Sequence, residues 1–334
     1  MRVAPMRLLA ATILLAGLAG CGSKAADGST PADAEAAPTV STDVLGGASV
    51  DPGESGLSGL SAAGASAGAT KTAGGASGKA PTQTFAVATA QFTFTRAGRT
   101  LRTMVLYPKT AGRYPLVLWS HGLHGSPEGY QGVTQKIAAA GFVVAAPAYP
   151  FTNDKANPFN QNDMANQPAD ASAVITEVLK LDAQAGSPLA GRIDTAHVGA
   201  AGHSAGGYTT AGLLSGNTRD ARLKGAIIVS GGSMGGKFSG AATPVLFIHG
   251  DADATVPYSS GKSLYDACTW PKAFLTLLGG DHGAALWGTT PAATAVTKTT
   301  LDFFRYSLYG DASARSRLRS DATAAGAAKY DGTL

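Results

Sequence analysis

Gly202-His203-Ser204-Ala205-Gly206-Gly207 lies between an apolar run, His197 to Ala201, and a stretch of helical character, Tyr208 to Leu214. A serine hydroxyl is a weak nucleophile near neutral pH. It becomes a strong one when a base takes its proton and a third group orients that base. A strand, a sharp turn and a helix in succession would lift Ser204 out of the chain at the positive end of the helix. Glycines are needed there because larger side chains would collide across so tight a turn. The chain has 44 glycines, so the G-x-S-x-G string takes its weight from the flanking strand and helix and from partners downstream. His203 adjoins Ser204, but neighbouring strand residues face opposite sides, so it reads as structural rather than as the base.

Downstream of Ser204 the histidines are His249 and His282. His249 ends the apolar run that begins at Val245, whereas His282 lies in Gly279-Gly280-Asp281-His282-Gly283, directly after the last apolar run. A loop at a strand end is where a mobile base belongs, so His282 is the predicted base. For the orienting acid, Asp251 and Asp253 both follow the Val245 run, and spacing by itself leaves the two open. Asp281 is disfavoured, because adjacency in sequence to His282 does not give the side-on contact an imidazole needs. An oxyanion formed on attack requires backbone N–H donors. Ala205 is predicted to supply one, and Leu123, in Ser120-His121-Gly122-Leu123-His124-Gly125, the other. His121 and His124 sit three apart on a glycine loop without a carboxylate or cysteine set, so no metal site is expected. Chemistry of this kind needs no cofactor.

The elements that must position these residues are legible as short apolar runs. Leu116 to Trp119, Phe142 to Ala146, His197 to Ala201, Ala226 to Val229, Val245 to Ile248 and Phe274 to Leu278 alternate with helical stretches such as Thr134 to Ala140 and Ala169 to Leu181. Strands buried on both faces read as continuous apolar runs, and helices between them imply right-handed crossovers and a mostly parallel sheet. Phe85 to Thr95 and Leu101 to Tyr107, turned at Gly98, read as an antiparallel hairpin at a sheet edge. The connection from Val229 to Val245 is short and glycine-rich, which leaves no room for a cap domain. The segment 147–167, with Asn153, Asn157, Asn160, Asn162 and Asn166, is long enough either to border the site or to be a mobile surface loop without contact to substrate.

Residues 1–21 read as a secretory signal, with Arg2 and Arg7 ahead of the apolar run Leu8 to Leu18. Its end, Leu18-Ala19-Gly20-Cys21, resembles a bacterial lipobox, which implies lipidation of Cys21 and a secreted protein anchored in a membrane through that lipid. Residues 22–83, rich in Gly, Ala, Ser and Thr, are predicted to be a flexible tether. A single domain over 84–310 follows, and 311–334 is expected to be a flexible basic tail. The net charge of +4 owes much to the two ends, so it argues only weakly for nucleic acid, and no nucleic-acid partner is expected. Of the two cysteines, Cys268 reads as a buried structural thiol.

Taken together, Ser-His-Gly-Leu-x-Gly-Ser from Ser120, Gly-His-Ser-x-Gly-Gly from Gly202, His-Gly-x-x-Asp-x-x-Val-Pro from His249 and Gly-Gly-x-His from Gly279 resemble one branch of the α/β-hydrolases. That branch includes dienelactone hydrolases, platelet-activating-factor acetylhydrolases and cutinase-like polyester hydrolases. The resemblance implies an α/β-hydrolase fold without a large cap, and a triad of Ser204, Asp253 and His282. It also implies an oxyanion hole at Leu123 and Ala205, and an ester substrate. The later aspartate of the His249 motif is the one that serves in the branch, which selects Asp253 over Asp251. Two departures weigh against a polymer substrate: Ala205 stands where polyester hydrolases commonly have methionine, and Cys268 has no partner for their C-terminal disulfide. Tyr130, Tyr149, Phe151 and Trp287 are the aromatic candidates for the cleft, with plain core or surface packing as the alternative and Trp287, close behind the base, favoured as a wall. The rival readings are a phospholipid deacylase, a peptidase using the same residues, and a surface-binding lipoprotein without catalysis.

Overall fold

Side chains of successive strand residues point to opposite faces, so a strand covered on both sides must be apolar throughout. In the computed structural model, which describes residues 78–323 and 326–334, this rule builds the core. Leu116, Leu118, Val143, Ala145, Ala226 and Ile228 join one buried cluster. Their neighbours Val117, Trp119, Val144, Ala146, Ile227 and Val229 join the other, across the sheet.

The strands are β1 (Val87–Arg96), β2 (Arg99–Pro108), β3 (Tyr114–Ser120), β4 (Val143–Ala148), β5 (Ile193–His203), β6 (Leu223–Val229), β7 (Val245–Gly250), β8 (Lys272–Leu277) and β9 (Ala328–Gly332). They form one sheet in the order β1-β2-β4-β3-β5-β6-β7-β8-β9. From β4 to β8 the pairing is parallel; β1, β2 and β9 add antiparallel edges. Helices α2 (Gln167–Lys180), α3 (Ala205–Gly212) and α4 (Tyr258–Ala267) place buried residues in the first cluster. Helices α1 (Gln131–Ala139), α5 (Pro291–Tyr309) and α6 (Ala312–Thr323) place theirs in the second. This is the mixed sheet with helices on both faces of an α/β-hydrolase fold. Between β6 and β7 the chain forms no helix, so no cap rises over the sheet there.

Two boundaries differ from the sequence reading. The described residues of the expected flexible tail, 311–323 and 326–334, are packed: α6 buries Ala314, Leu318 and Ala322 along one stripe, and β9 pairs with β8 from Ala273↔Gly332 to Leu277↔Ala328. A three-residue apolar stripe and a five-residue strand are too short to stand out among the arginines of this segment. At the other end the packed domain begins earlier than residue 84, because Ala80 is buried and its N–H donates to Asp311 Oδ2 at 3.2 Å. Residues 1–77, with the expected signal, Cys21 and most of the expected tether, lie outside the described residues.

Candidate active site

The C-terminal ends of β3, β5, β7 and β8 deliver the candidate residues to one edge of the sheet. After His203 the chain reverses at Ser204, whose φ of 58° and ψ of −122° are rare for a residue with a side chain. Such a conformation costs about 1–3 kcal/mol and persists only where its surroundings enforce it. Here the Ser204 N–H donates to the Val229 carbonyl at 2.9 Å, and α3 starts at the next residue. The glycines of the motif are explained by close approach: a Cβ at Gly206 would overlap the Ser120 carbonyl, and one at Gly202 the Gly206 carbonyl.

His282 Nε2 lies 2.9 Å from Ser204 Oγ, and its Nδ1 lies 2.8 Å from Asp253 Oδ2. Asp253 is buried, and its Oδ1 accepts from the N–H groups of Thr255 and Val256, each at 2.9 Å. Burial of this carboxyl favours the neutral form. The hydrogen bonds from His282, Val256 and Thr255 together outweigh that and hold its pKa below the ordinary aspartate value. Asp253 Oδ2 is also 3.3 Å from His249 Nε2, which lies 2.9 Å from the Val256 carbonyl. His249 is buried, which drives its pKa down against the upward pull of the Val256 carbonyl and Asp253.

Asp251 does not touch His282 among the contacts described; its Oδ1 accepts from the Gly279 N–H at 2.7 Å. The Ala252 N–H donates to the Gly280 carbonyl at 3.0 Å. The loop bearing the acid is therefore stitched to the loop bearing the histidine.

Gly122 lies directly against the serine: a Cβ there would come within 3.2 Å of Ser204 Cβ. Leu123, the next residue, is half-buried, and Ala205 opens α3. The loop 147–167 clasps this turn, since the His124 N–H donates to the Thr152 carbonyl at 2.8 Å and the Asp154 N–H to the Gly125 carbonyl at 3.0 Å. The His124 ring stacks on Phe159, with centroids 3.8 Å apart. Deeper in, Gln167 Nε2 donates to Thr152 Oγ1 at 2.7 Å while its Oε1 accepts from Thr209, which ties the loop to α3. His121 is fully buried, its Nδ1 2.7 Å from the Gly122 carbonyl, and burial lowers its pKa to about 4. No cluster of metal-ligating side chains forms among the described residues.

Tyr149 is a correction. A cleft candidate with core packing as its alternative, it takes the core: its side chain is 0% exposed and its hydroxyl lies 2.7 Å from Ser120 Oγ. An aromatic residue just after a parallel strand can point into the core as readily as outward, and the local sequence does not distinguish the two. Trp287 is 40% exposed and its ring centroid is 5.5 Å from that of Tyr130 and 6.1 Å from that of His203, so it stands at the surface beside the histidine pair. Tyr130 is buried beneath it. Phe151, at the surface, lies under the Arg99 guanidinium at 5.3 Å. Cys268 is buried and free, and burial raises its pKa.

Two features were not legible in the sequence. Arg99 bonds both Asp163, at 2.5 Å, and Asp170, at 2.7 Å, beneath the 147–167 loop, and Arg96 reaches Asp170 at 2.7 Å. Tyr130 joins the turn at Gly122 to His203, with its hydroxyl 2.7 Å from His203 Nδ1. The arginine–aspartate pairs and Tyr130–His203 stand 64 to 74 positions apart, so no spacing rule could have paired them.

Comparison with known proteins came to the same class of molecule. A family model described as "PETase: PET hydrolase-like" matches residues 65–315, more than half of the chain. Cutinase 1 of Thermobifida cellulosilytica is 28% identical over 183 residues, 54% of this chain and 64% of that protein. A cutinase of Thermobifida fusca (strain YX) is also 28% identical over 183 residues, covering 54% of this chain and 56% of its own length. The chain thus spans less than two thirds of the length of these curated relatives.

Proposed function

The chain belongs to the PET hydrolase-like family, and we propose that it hydrolyses carboxylic esters by acyl transfer through Ser204. The single observation that carries this reading is the file of hydrogen-bonding atoms Ser204 Oγ, His282 Nε2, His282 Nδ1 and Asp253 Oδ2, spaced at 2.9 and 2.8 Å. His282 takes the Ser204 proton as Oγ attacks the ester carbonyl carbon. The carbonyl π bond becomes an oxyanion, received by the N–H groups of Ala205 and Leu123. As the tetrahedral species collapses, the C–O bond to the alcohol breaks and the leaving oxygen takes the proton from His282. Water then attacks the acyl-serine, giving its proton to His282, and collapse returns Ser204 and releases the acid. Asp253, ionised, holds the Nδ1–H and stabilises the imidazolium in both halves.

The substrate class we propose is short- to medium-chain esters, with polyesters as an extension. An uncapped sheet edge supports both, since a long chain can lie across an open site, and the cutinase relatives and family description support the second. Trp287 is the exposed aromatic that would form a wall of the cleft. The lipobox-like Leu18-Ala19-Gly20-Cys21 supports lipidation at Cys21 and anchorage outside the cytoplasm. Radiolabelled palmitate incorporated by the full chain but not by Cys21→Ser would uphold that part.

The deciding assay is hydrolysis of p-nitrophenyl esters from acetate to long acyl chains by the wild-type chain and Ser204→Ala. Turnover on short and medium chains that disappears in the variant is expected, because triad members act as a unit. Retained turnover in Ser204→Ala would overturn the mechanism. A preference for phospholipid vesicles over soluble esters would redirect the substrate assignment to a phospholipid deacylase.

A further inference from the structure

Beneath the candidate triad lies a second hydrogen-bonded pair that the proposed reaction does not use. Tyr130 opens α1 from the far side of the site, and its ring is buried between Trp119 and Trp287, with centroid separations of 5.9 and 5.5 Å. Its hydroxyl makes two contacts. It accepts from the Gly122 N–H at 3.2 Å, and it lies 2.7 Å from His203 Nδ1. A phenol has one proton and two lone pairs. With the amide on one lone pair, the proton and the second lone pair both remain for Nδ1, so the contact forms in either tautomer of His203.

His203 Nε2 is buried and has no hydrogen-bond partner, in a residue that is 4% exposed. It faces Gly283, where a Cβ would overlap it, and Gly283 has a φ of 91°. An unpaired buried polar atom costs free energy, and position 283 must be glycine because any Cβ there would overlap the His203 ring. Plain packing would be served better by an apolar side chain at position 203. The ring's position gives it another use: its centroid is 4.7 Å from that of His282, so it forms the floor on which the imidazole rests.

The same pair reaches the other half of the site. Gly122, whose N–H Tyr130 holds, is the residue before Leu123, and a Cβ on it would meet Tyr130 Oη at 3.1 Å and Ser204 Cβ at 3.2 Å. The turn that presents the Leu123 N–H is thus clamped between the serine and the tyrosine hydroxyl. Resting on the acyl-transfer reading above, we propose that Tyr130 and His203 are positioning residues. Together they fix the height of the Gly122–Leu123 turn over Ser204 and the tilt of His282, so that the oxyanion donor and the base are set by one shared link.

His203 suits this work because it stays neutral. Burial, reinforced by the charge His282 would carry, lowers its pKa to about 3, so no second cation competes with an imidazolium formed during turnover. Small errors of placement are expensive in such a site, on the order of a hundredfold in rate for 1 Å. Loss of one hydrogen-bonded anchor, with the clasp from the 147–167 loop intact, is expected to act more mildly.

The test is Tyr130→Phe, which keeps the ring and removes only the hydroxyl, compared with wild type, His203→Leu and His203→Asn in the full chain. Asparagine keeps a polar atom close to the Nδ1 position and leucine does not. Three quantities are read on p-nitrophenyl butyrate: kcat, KM, and the inhibition constant of a phenylboronic acid, whose tetrahedral serine adduct places an oxygen in the oxyanion hole. Circular dichroism and thermal midpoints establish that each variant is folded. In Tyr130→Phe, kcat is expected to fall about tenfold and boronate binding to weaken by a similar factor, with KM within about twofold, since the donor acts on the transition state. His203→Leu should behave likewise and His203→Asn should recover most of the loss. A folded Tyr130→Phe with a lower thermal midpoint, but with kcat and boronate affinity both within twofold of wild type, would show the pair to be structural only and overturn the proposal. Wild-type activity that survives Ser204→Ala is a different failure, that of the acyl-transfer reading itself.

Discussion

Asp251 Oδ1 receives the Gly279 N–H at 2.7 Å, so the aspartate that does not meet His282 bonds the loop on which His282 sits. Two acids two residues apart thereby divide the work. Asp253 faces the imidazole, and Asp251 holds the backbone that carries it.

The division separates two variants. Asp253→Asn should lower kcat on soluble esters by about 10³–10⁴-fold, because the amide no longer stabilises the correct imidazole tautomer. Asp251→Ala should lower it by about tenfold or less, through a looser loop. Steady-state kinetics on p-nitrophenyl butyrate measures both, and an equal loss in the two would reject the assignment of roles.

Arg99 is 13% exposed and bridges two carboxylates that are 5% and 0% exposed, Asp163 and Asp170. Removing the cation leaves buried charge without a counter-ion, which costs about 3–5 kcal/mol where a buried pair is broken. Arg96 retains one contact to Asp170, so Arg99→Gln should fall at the lower end, about 3 kcal/mol by urea denaturation. Limited proteolysis should then cut first within 147–167, the segment whose Asp163 is released. Unchanged stability would mean that the bridge is offset by its desolvation.

His203 and His121 are buried, with pKa values lowered to about 3 and about 4 from an ordinary 6.5. Between those values and 6.5 the unfolded chain binds protons that the folded chain does not, so stability rises with pH across the window and is lost as the pH falls. Each histidine contributes a slope of up to about 1.4 kcal/mol per pH unit there. Urea midpoints at pH 7 and pH 4.5 should therefore differ, and His203→Asn should reduce the difference. A midpoint independent of pH over this range would contradict the burial of both rings.

Deleting residues 326–334 removes β9 and exposes the edge of β8, whose Leu275 and Thr276 pair with Tyr330 and Lys329. The deletion also uncovers the surface under Tyr330, which is 7% exposed. An open apolar edge invites pairing with other chains. The truncated chain is expected to have a lower thermal midpoint and to form soluble oligomers in size-exclusion chromatography, whereas a flexible tail would be removed without effect.

Much of the arrangement is written locally. Six apolar runs separated by helical stretches state a parallel sheet, because only strands covered on both faces can be apolar at every position. Gly202 and Gly206 around Ser204 state a turn, because the contacts that exclude a Cβ occur within a few residues or with the neighbouring β3 and the turn after it. His282 was separable from His249 by the same local logic, one on a loop after the last run and the other inside a strand.

What the residues could not decide alone were matters of direction and distance. Asp251 and Asp253 share a loop, and which carboxylate reaches His282 depends on how that loop folds over the next one. Tyr149 turned inward to Ser120 rather than toward a cleft, since a side chain's face after a strand end is set by its neighbours in space. The order in the described residues of 311–334 came from β8 offering an unpaired edge and from Asp302 receiving Arg317. Sequence by itself determined the strand–turn–helix around Ser204 and the class of fold, because short-range sterics and hydrophobic periodicity act along the chain. Only the tertiary structure decided the partners of Asp251, Arg99, Tyr130 and His203, because hydrogen bonds between distant segments depend on coordinates that no local spacing encodes.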